Sequence, residues 1–126
     1  MALESPPLCA EGYFPSALRN RIPLLHVIER RCGDKLRKGD AKVLFIAEGS
    51  GAHCATLAKK FPLSRFVATD LWEPLEIEAV TARLRSEGVP ESRAALARLD
   101  VLSESEEWER VVGGAGTIDL ALCVNM

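Results

Sequence analysis

An acidic residue and two glycines directly follow an apolar run near the middle of the chain. Residues 42–47 are predicted to form a strand, residues 48–51 (EGSG) a turn, and residues 52–61 a helix. A strand, a glycine turn and a helix in this order hold nucleotide-type cofactors in many α/β proteins. Glycine adopts backbone angles that other residues avoid, and the start of the helix offers unpaired N–H groups. Residues 48–51 are therefore the first candidate ligand site.

Polar residues also stand at the ends of three later predicted strands. Asp70 follows residues 65–69, and Asn125 follows the apolar stretch 118–124. Residues 93–101 favour a helix by propensity, but the alternation of strands and helices favours a strand from about 95 to 99, which ends at Asp100. Ligands bind at the carboxyl ends of the strands of an open parallel sheet, so we expect these ends and Glu48 to meet in one crevice.

The remaining segments supply the helices that cover such a sheet. Residues 1–13 are interpreted as a loose arm, and a helix opens at Pro15 with Ser16 as its N-cap, passes a kink or second start at Pro23, and ends at Gly33 or Gly39. A further helix begins at residues 73–74, and a short one is predicted from a capping box formed by residues 103 and 106. The prediction is one α/β domain, residues 14–126, with about four parallel strands and flanking helices.

The residue types at the turn favour one cofactor class over another. Asp70 is placed to accept hydrogen bonds from both hydroxyls of a ribose, as in NAD or S-adenosylmethionine. The dinucleotide pattern has a third glycine where this chain has Cys54. An acid at position 48 would repel a pyrophosphate but not a sulfonium cation with an amino-acid tail. The residues therefore favour S-adenosylmethionine, and an NAD-binding fragment is the weaker alternative.

Motifs spread along most of the chain resemble those of a known family. They are residues 17–20 (ALRN), 43–53 (VLFIAEGSGAH), 69–70 (TD), 96–101 (LARLDV) and 122–126 (LCVNM). In this order and spacing they resemble the family of predicted methyltransferases that includes methyltransferase-like protein 26. The resemblance implies a Rossmann-like methyltransferase fold with S-adenosylmethionine as cofactor. The cofactor-binding residues taken from the turn, the strand ends and the resemblance are Glu48, Gly49, Ser50, Gly51, Asp70, Asp100, Val101, Arg19, Asn20 and Asn125.

Each of these residues has an implied place in the cofactor site. The turn would pass under the methionine part, Asp70 would hold the ribose, and Asp100 with Val101 would flank the adenine. Arg19 and Asn20 would close over the cofactor from the first helix or simply pack there. Asn125 ends the fourth strand, where related enzymes place groups that meet the substrate. No general base is identifiable, and the methyl acceptor is not indicated.

Two departures from the family pattern bear on activity. The acid that the family has in its first strand is Phe45 here, and its serine before the first glycine is Glu48. Glu48 either replaces the missing acid or points into solvent. A catalytically inactive relative that acts as a binding or interaction module is the alternative to a methyltransferase.

The length of the chain is a further difference from the family. The methyltransferase sheet usually has seven strands, whereas four are predicted here, so we expect an amino-terminal part truncated after the fourth strand. That strand would have an unpaired apolar edge, and we expect self-association through it.

Composition excludes several other classes of function. The 126 residues have a formal net charge of -2, which does not indicate a basic surface for binding nucleic acid. No apolar run approaches the roughly 20 residues of a membrane span. The four cysteines and two histidines match no metal-ligand spacing. Free thiols in predicted helices and strands fit a reducing compartment, so a cytoplasmic protein is expected.

Overall fold

The described part of the protein, residues 12–114 and 116–124 of a computed structural model, contains four helices and four strands that alternate along the chain. The elements are α1 (Pro15–Lys38), β1 (Lys42–Ile46), α2 (Ala52–Lys60), β2 (Arg65–Asp70), α3 (Pro74–Ser86), β3 (Ala94–Arg98), α4 (Ser105–Val112) and β4 (Leu120–Cys123).

The four strands form one parallel sheet in the order β3-β2-β1-β4. Leu44 of β1 aligns with Val67 of β2 on one side and with Ala121 of β4 on the other. The predicted α/β fold with four parallel strands is confirmed. The ambiguous stretch is also resolved, because residues 94–98 pair with β2 as a strand. Its helix propensity is overridden by the ladder of tertiary hydrogen bonds.

The apolar run in β1 is explained by helices on both faces of the sheet. Successive side chains of a strand point to opposite faces. Val43 and Phe45 enter the larger apolar cluster, which also contains buried residues of α1, α2 and α3. Leu44 enters a smaller cluster with Val112 of α4. A strand covered in this way must be apolar at nearly every position.

The β4 strand lies at one edge of the sheet of the described residues. Leu122 packs against the larger cluster, whereas Ala121 and Cys123 are exposed on the other face. The predicted continuous apolar strand is therefore only half covered. Self-association through the outer edge of β4 stays a prediction.

The first helix has a different N-cap from the predicted one, and it ends before Gly39, which is one of the two predicted end points. Its N-cap is Phe14 rather than Ser16, because Pro15 occupies the first turn, where a missing N–H costs nothing. The helix is continuous through Pro23 and passes Gly33, ending at Lys38 before Gly39, whose φ is 97°. Just before the helix, Tyr13 is buried in the core, although residues 1–13 were predicted to be a loose arm.

The predicted start of α4 was also wrong. The N-cap is Glu104, and Ser103 instead belongs to the turn before it. The N–H of Ser103 donates to the carbonyl oxygen of Asp100 (2.9 Å), and the N–H of Leu102 donates to the Asp100 side chain (2.9 Å). An aspartate side chain that binds the backbone two residues later stabilises a turn, which moves the start of the helix toward the carboxyl terminus.

Arg93, just before β3, joins the end of α2 to the sheet. Its guanidinium donates hydrogen bonds to three carbonyl oxygens, those of Ala58 (3.0 Å), Phe61 (3.0 Å) and Ser64 (3.1 Å). Its Cζ also lies 5.9 Å from the centroid of the Phe66 ring. The last carbonyls of a helix have no partner within the helix, and a cation there is favourable.

We predict that Arg93→Met lowers the free energy of unfolding by about 1.5–3 kcal/mol, the range for hydrogen bonds that involve a charged group. Urea unfolding at neutral pH measures the change. The matched control is Arg85→Met, because the Arg85 side chain forms an exposed ion pair with Glu91, whose loss should change stability by less than about 1 kcal/mol. Equal losses in the two variants would contradict the assigned role of Arg93.

Candidate functional site

A cavity of about 420 Å³ lies where the strands of the sheet end. It is bounded by the start of α1, by the segments that follow β1, β2 and β3, and by the residue after β4. The lining residues are Phe14, Ser16, Ala17, Ala47, Glu48, Gly49, His53, Asp70, Leu71, Leu99, Asp100, Val101 and Val124. The volume is in the range of small-molecule sites, and the place is where open parallel sheets bind ligands.

Five of the predicted site residues come together at this cavity. They are Glu48, Gly49, Asp70, Asp100 and Val101. Ser50 and Gly51 belong to the same turn but are buried behind it and do not line the cavity. Asn125 lies outside the described residues, although its neighbour Val124 lines the cavity.

The structure does not bring Arg19 and Asn20 to the cavity. Both are exposed on α1, whereas Phe14, Ser16 and Ala17 are the residues of this region that line it. Arg19 and Asn20 follow Ser16 by three and four residues, so they lie roughly 5–6 Å farther along the helix axis. The contact predicted from the first helix is therefore made one turn earlier.

The glycine turn is held from β2 and from the segment that follows it. The Gly49 N–H donates to Asp70 Oδ2 (2.7 Å), and the Gly49 carbonyl oxygen accepts from Trp72 Nε1 (2.9 Å). The other oxygen of Asp70 accepts from the Leu71 N–H (2.6 Å). Asp70 thus positions the turn in addition to lining the cavity, and the buried Trp72 holds the turn through the Gly49 carbonyl oxygen.

Residues of α3 and the start of α1 hold the next residue of the turn. The Ser50 carbonyl oxygen accepts from Arg83 Nη1 (2.6 Å), and the Ser50 hydroxyl oxygen accepts from the Phe14 N–H (3.2 Å). Gly51 has a φ of 89°, and a Cβ built on it would lie 2.9 Å from Val80 Cγ1. A side chain at position 51 is excluded both by the backbone angle and by the close approach of α3.

Ala47 has a backbone conformation that is unusual for its type. Its φ is 57°, in the left-handed region, which costs a residue with a Cβ atom roughly 1–2 kcal/mol. It lies between β1 and Glu48 and lines the cavity. Strain of this kind persists where the surroundings impose it, and it is concentrated at functional sites.

Glu48 is buried, which excludes the alternative that it points into solvent. Its Oε2 accepts a hydrogen bond from the Cys54 N–H (2.8 Å), and the backbone N–H of His53 also stabilises the ionised carboxylate. These N–H groups belong to the first turn of α2, whose N-cap Gly51 has no side chain to cap them. Glu48 therefore fills the anion site that the start of α2 offers.

Burial, together with the nearby negative charge of Asp70, raises the pKa of Glu48 to about 8. The N–H groups of Cys54 and His53 oppose this shift because they stabilise the ionised form. Burial is the largest cause, so the carboxyl is mostly neutral at pH 7. The two N–H groups only partly compensate for the water that the carboxylate loses on burial.

His53 is a cavity residue whose role the sequence did not predict. It is 5% exposed, and its Nε2 has no hydrogen-bond partner in the described part of the chain. Burial lowers its pKa, which favours the neutral imidazole. Buried polar atoms are rarely left without a partner, so the orphaned nitrogen is consistent with a position that a ligand completes.

A second groove, of about 640 Å³, lies at the opposite end of the sheet, beside the last turns of α1. Its lining carries both signs of charge, and several of these charges are already paired, as in Lys35 with Asp119 (3.1 Å). It has no convergent set of buried polar groups comparable to Glu48, Asp70 and His53. The smaller cavity at the strand ends is therefore the better candidate.

The chain matches the family model described as "Protein of unknown function (DUF938)" over residues 11–126, well over half of its length. The chain belongs to this family. The match includes all four strands and every cavity residue of the DUF938 chain. The finer resemblance to the group that includes methyltransferase-like protein 26 is not decided by this match.

Solved structures support the fold of this DUF938 chain. It is similar to YjhP from E. coli (TM-score 0.52, 21% identity, covering 74% of this chain and 34% of that chain). It is similar to the S-adenosylmethionine-dependent methyltransferase SibL in its apo form (TM-score 0.52, 20% identity, covering 81% and 28%). It is also similar to PKMT2 from Rickettsia typhi in complex with AdoHcy (TM-score 0.50, 22% identity, covering 95% and 20%).

These matches establish a Rossmann-like methyltransferase fold for the DUF938 chain. They also show that the chain spans between a fifth and about a third of the length of the three structures. No helix of residues 12–114 and 116–124 is long and apolar enough to cross a membrane. Within the same residues, no cluster of three or more His, Cys, Asp or Glu side chains is arranged to hold a metal ion.

We predict that Glu48→Gln removes a pH dependence of stability. The folded-state pKa of Glu48, about 8, lies above the ordinary value of 4.5, so folding takes up a proton at pH values between the two. Stability is then highest at low pH and falls as pH rises toward 8. Glutamine keeps an acceptor for the Cys54 N–H but has no proton to lose.

Urea unfolding at pH 5, 6.5 and 8 tests this prediction. The variant should gain stability relative to the wild type as pH rises, and subtraction of the two curves cancels the titration of other groups. Parallel pH profiles for the two proteins would show that the Glu48 carboxyl is ionised in the folded state at neutral pH.

Proposed function

We propose that the cavity binds S-adenosylmethionine and that the chain is the cofactor-binding part of a methyltransferase. The observation that carries the proposal is the position of Glu48. Its carboxyl occupies the N–H groups at the start of α2, where a dinucleotide would place its pyrophosphate. A phosphate would have to displace this acid, whereas a cationic group of a ligand would be stabilised by it once the carboxyl is ionised.

Asp70 also has acceptor positions for the hydroxyl groups of a ribose. A carboxylate has about four acceptor positions, and the N–H groups of Gly49 and Leu71 use two of them. Asp70 is partly buried and lines the cavity, so its remaining lone pairs are available to the two hydroxyls of a ribose. Its anchored position means that little conformational entropy is lost when a ligand binds.

The part of the cavity near the end of β3 combines apolar and acidic groups that suit an adenine. Leu71, Leu99 and Val101 offer apolar surface on which an adenine could lie. Asp100 is exposed beside them, and it offers a carboxylate oxygen to an exocyclic amino group. Its Oδ1 is already fixed by the Leu102 N–H (2.9 Å). This is the usual composition of a small-molecule site, with apolar walls and a few placed polar groups.

S-adenosylmethionine supplies an activated methyl group when it is bound. The contribution of this chain is to bind and orient that cofactor, because methyl transfer depends mainly on the alignment of the two reactants. Glu48 and the fixed turn hold one end, Asp70 the ribose, and residues 99–101 the base. No general base is assigned among the described residues.

A binding module that does not transfer methyl groups is the second candidate function. It is favoured by Phe45, which occupies the position where the resembling family has an acid. Phe45 is 1% exposed and stacks on Phe66 with ring centroids 6.0 Å apart, so this position serves the core. If the acid is needed for turnover, the chain binds the cofactor without catalysis.

Titration with three ligands tests the proposed function. S-adenosylmethionine and S-adenosylhomocysteine should each raise the melting temperature, and NAD should not. A shift with NAD alone would support a dinucleotide-binding fragment, and no shift with any of the three would contradict the proposal. Transfer to an acceptor, measured with a labelled methyl group, then separates an enzyme from a binding module.

A substitution at Asp100 tests the predicted place of the base. We expect Asp100→Ala to weaken S-adenosylhomocysteine binding by about 1–3 kcal/mol, the cost of losing a hydrogen bond in a buried complex. The control is Asp34→Ala, since the Asp34 side chain on α1 is 98% exposed and lies outside the cavity. Calorimetry that gives one affinity for both variants would remove Asp100 from the site.

A further inference from the structure

Glu48 is the ionisable group that connects the cavity to the start of α2. It is 9% exposed, it lines the cavity, and its Oε2 is fixed on the Cys54 N–H (2.8 Å). This arrangement places a carboxyl with a defined orientation in the wall of the cavity. What it does to a ligand depends on the charges that surround it.

Among the described residues, no cationic side chain of the surrounding elements is paired with this carboxyl. From β2, Asp70 adds a second negative charge, and from α2 come His53 and the thiol of Cys54. Asp100 lines the same cavity after β3, and α1 contributes only the uncharged Phe14, Ser16 and Ala17. The guanidinium of Arg83, from α3, donates to the Ser50 carbonyl oxygen.

We propose that Glu48 makes the cleft selective for ligands with a cationic group, and that binding such a ligand releases the Glu48 proton to solvent. This inference rests on the proposed function, because the amino group of S-adenosylmethionine or S-adenosylhomocysteine is the cation in question. Selection by charge follows from the geometry, since among the described residues three acids and no partnering cation line one small cavity.

The proton balance of the binding step is simple. In the free protein the Glu48 carboxyl holds a proton, because burial and the charge of Asp70 both disfavour its ionised form. A cation within a few ångströms favours the ionised form instead. The O–H bond of Glu48 then breaks, the proton passes to the buffer, and the ammonium group of the ligand takes its place. The hydrogen bond from the Cys54 N–H is kept throughout.

A neutral Glu48 could instead donate its O–H to the carboxylate of the same ligand. Binding would then need the proton to stay, and affinity would fall as the pH rises. The two modes therefore predict opposite pH dependences. The proposal commits to the first, because a ligand carboxylate placed there would meet the negative charges of Asp70 and Asp100.

Isothermal titration calorimetry in buffers of different ionisation enthalpy measures the proton released. Two ligands are compared, S-adenosylhomocysteine and 5′-methylthioadenosine, which shares the nucleoside and the thioether but lacks the amino-acid end. At pH 7 we expect S-adenosylhomocysteine to release close to one proton, and its affinity to rise about tenfold from pH 6 to pH 7. We expect 5′-methylthioadenosine to bind without releasing a proton.

Two variants assign the effect to Glu48. Glu48→Gln should abolish proton release with S-adenosylhomocysteine while 5′-methylthioadenosine still binds, which shows that the cleft is intact. Glu106→Gln, at an exposed position of α4, should leave proton release unchanged. Proton release that persists in Glu48→Gln would overturn the inference.

The outcomes separate this inference from the proposed function. If both ligands bind but no proton is released, or if one is taken up, the inference is overturned and the proposed function stands. If neither ligand binds at any pH between 6 and 8.5, both are overturned.

Discussion

The hydrogen bond between the Glu48 carboxyl and the first turn of α2 is the interaction on which the site depends. The start of a helix requires partners for its N–H groups, and Gly51 at the N-cap supplies none. Glu48 fills this requirement from within the turn itself. The same contact buries an acid in the turn after β1, occupies the place of a phosphate, and leaves a carboxyl at the wall of the cavity.

The rest of the turn is shaped by its neighbours rather than by its own sequence. Gly49 is held by Asp70 and Trp72, and Ser50 by Arg83 and the Phe14 N–H. These groups come from β2 and the segment after it, from α3 and from the start of α1. The conformation of the turn therefore depends on how these elements pack together. A loop fixed in this way is preorganised, and a ligand that fits it does not have to bear the cost of ordering it.

The strands and the position of the cleft could be predicted because their causes are local and periodic. The continuous apolar run of β1, the glycines that follow it and the acids at positions 48, 70 and 100 led to the cavity that the structure contains. The groups that hold the turn were not predicted. Trp72 and Arg83 contact it only through tertiary packing, and their spacing along the chain has no period. The predicted Ser103 cap was wrong for a different, local reason, because the Asp100 turn competes for the same segment.

The most direct measurement is a crystal structure of the protein with S-adenosylhomocysteine. We expect the ligand in the cavity at the strand ends, with its amino group within hydrogen-bond distance of the Glu48 carboxyl and its adenine against residues 99–101. The turn should keep its hydrogen bonds to Asp70, Trp72 and Arg83. A ligand that binds elsewhere, or that displaces Glu48 from the start of α2, would contradict the central role given to this carboxyl.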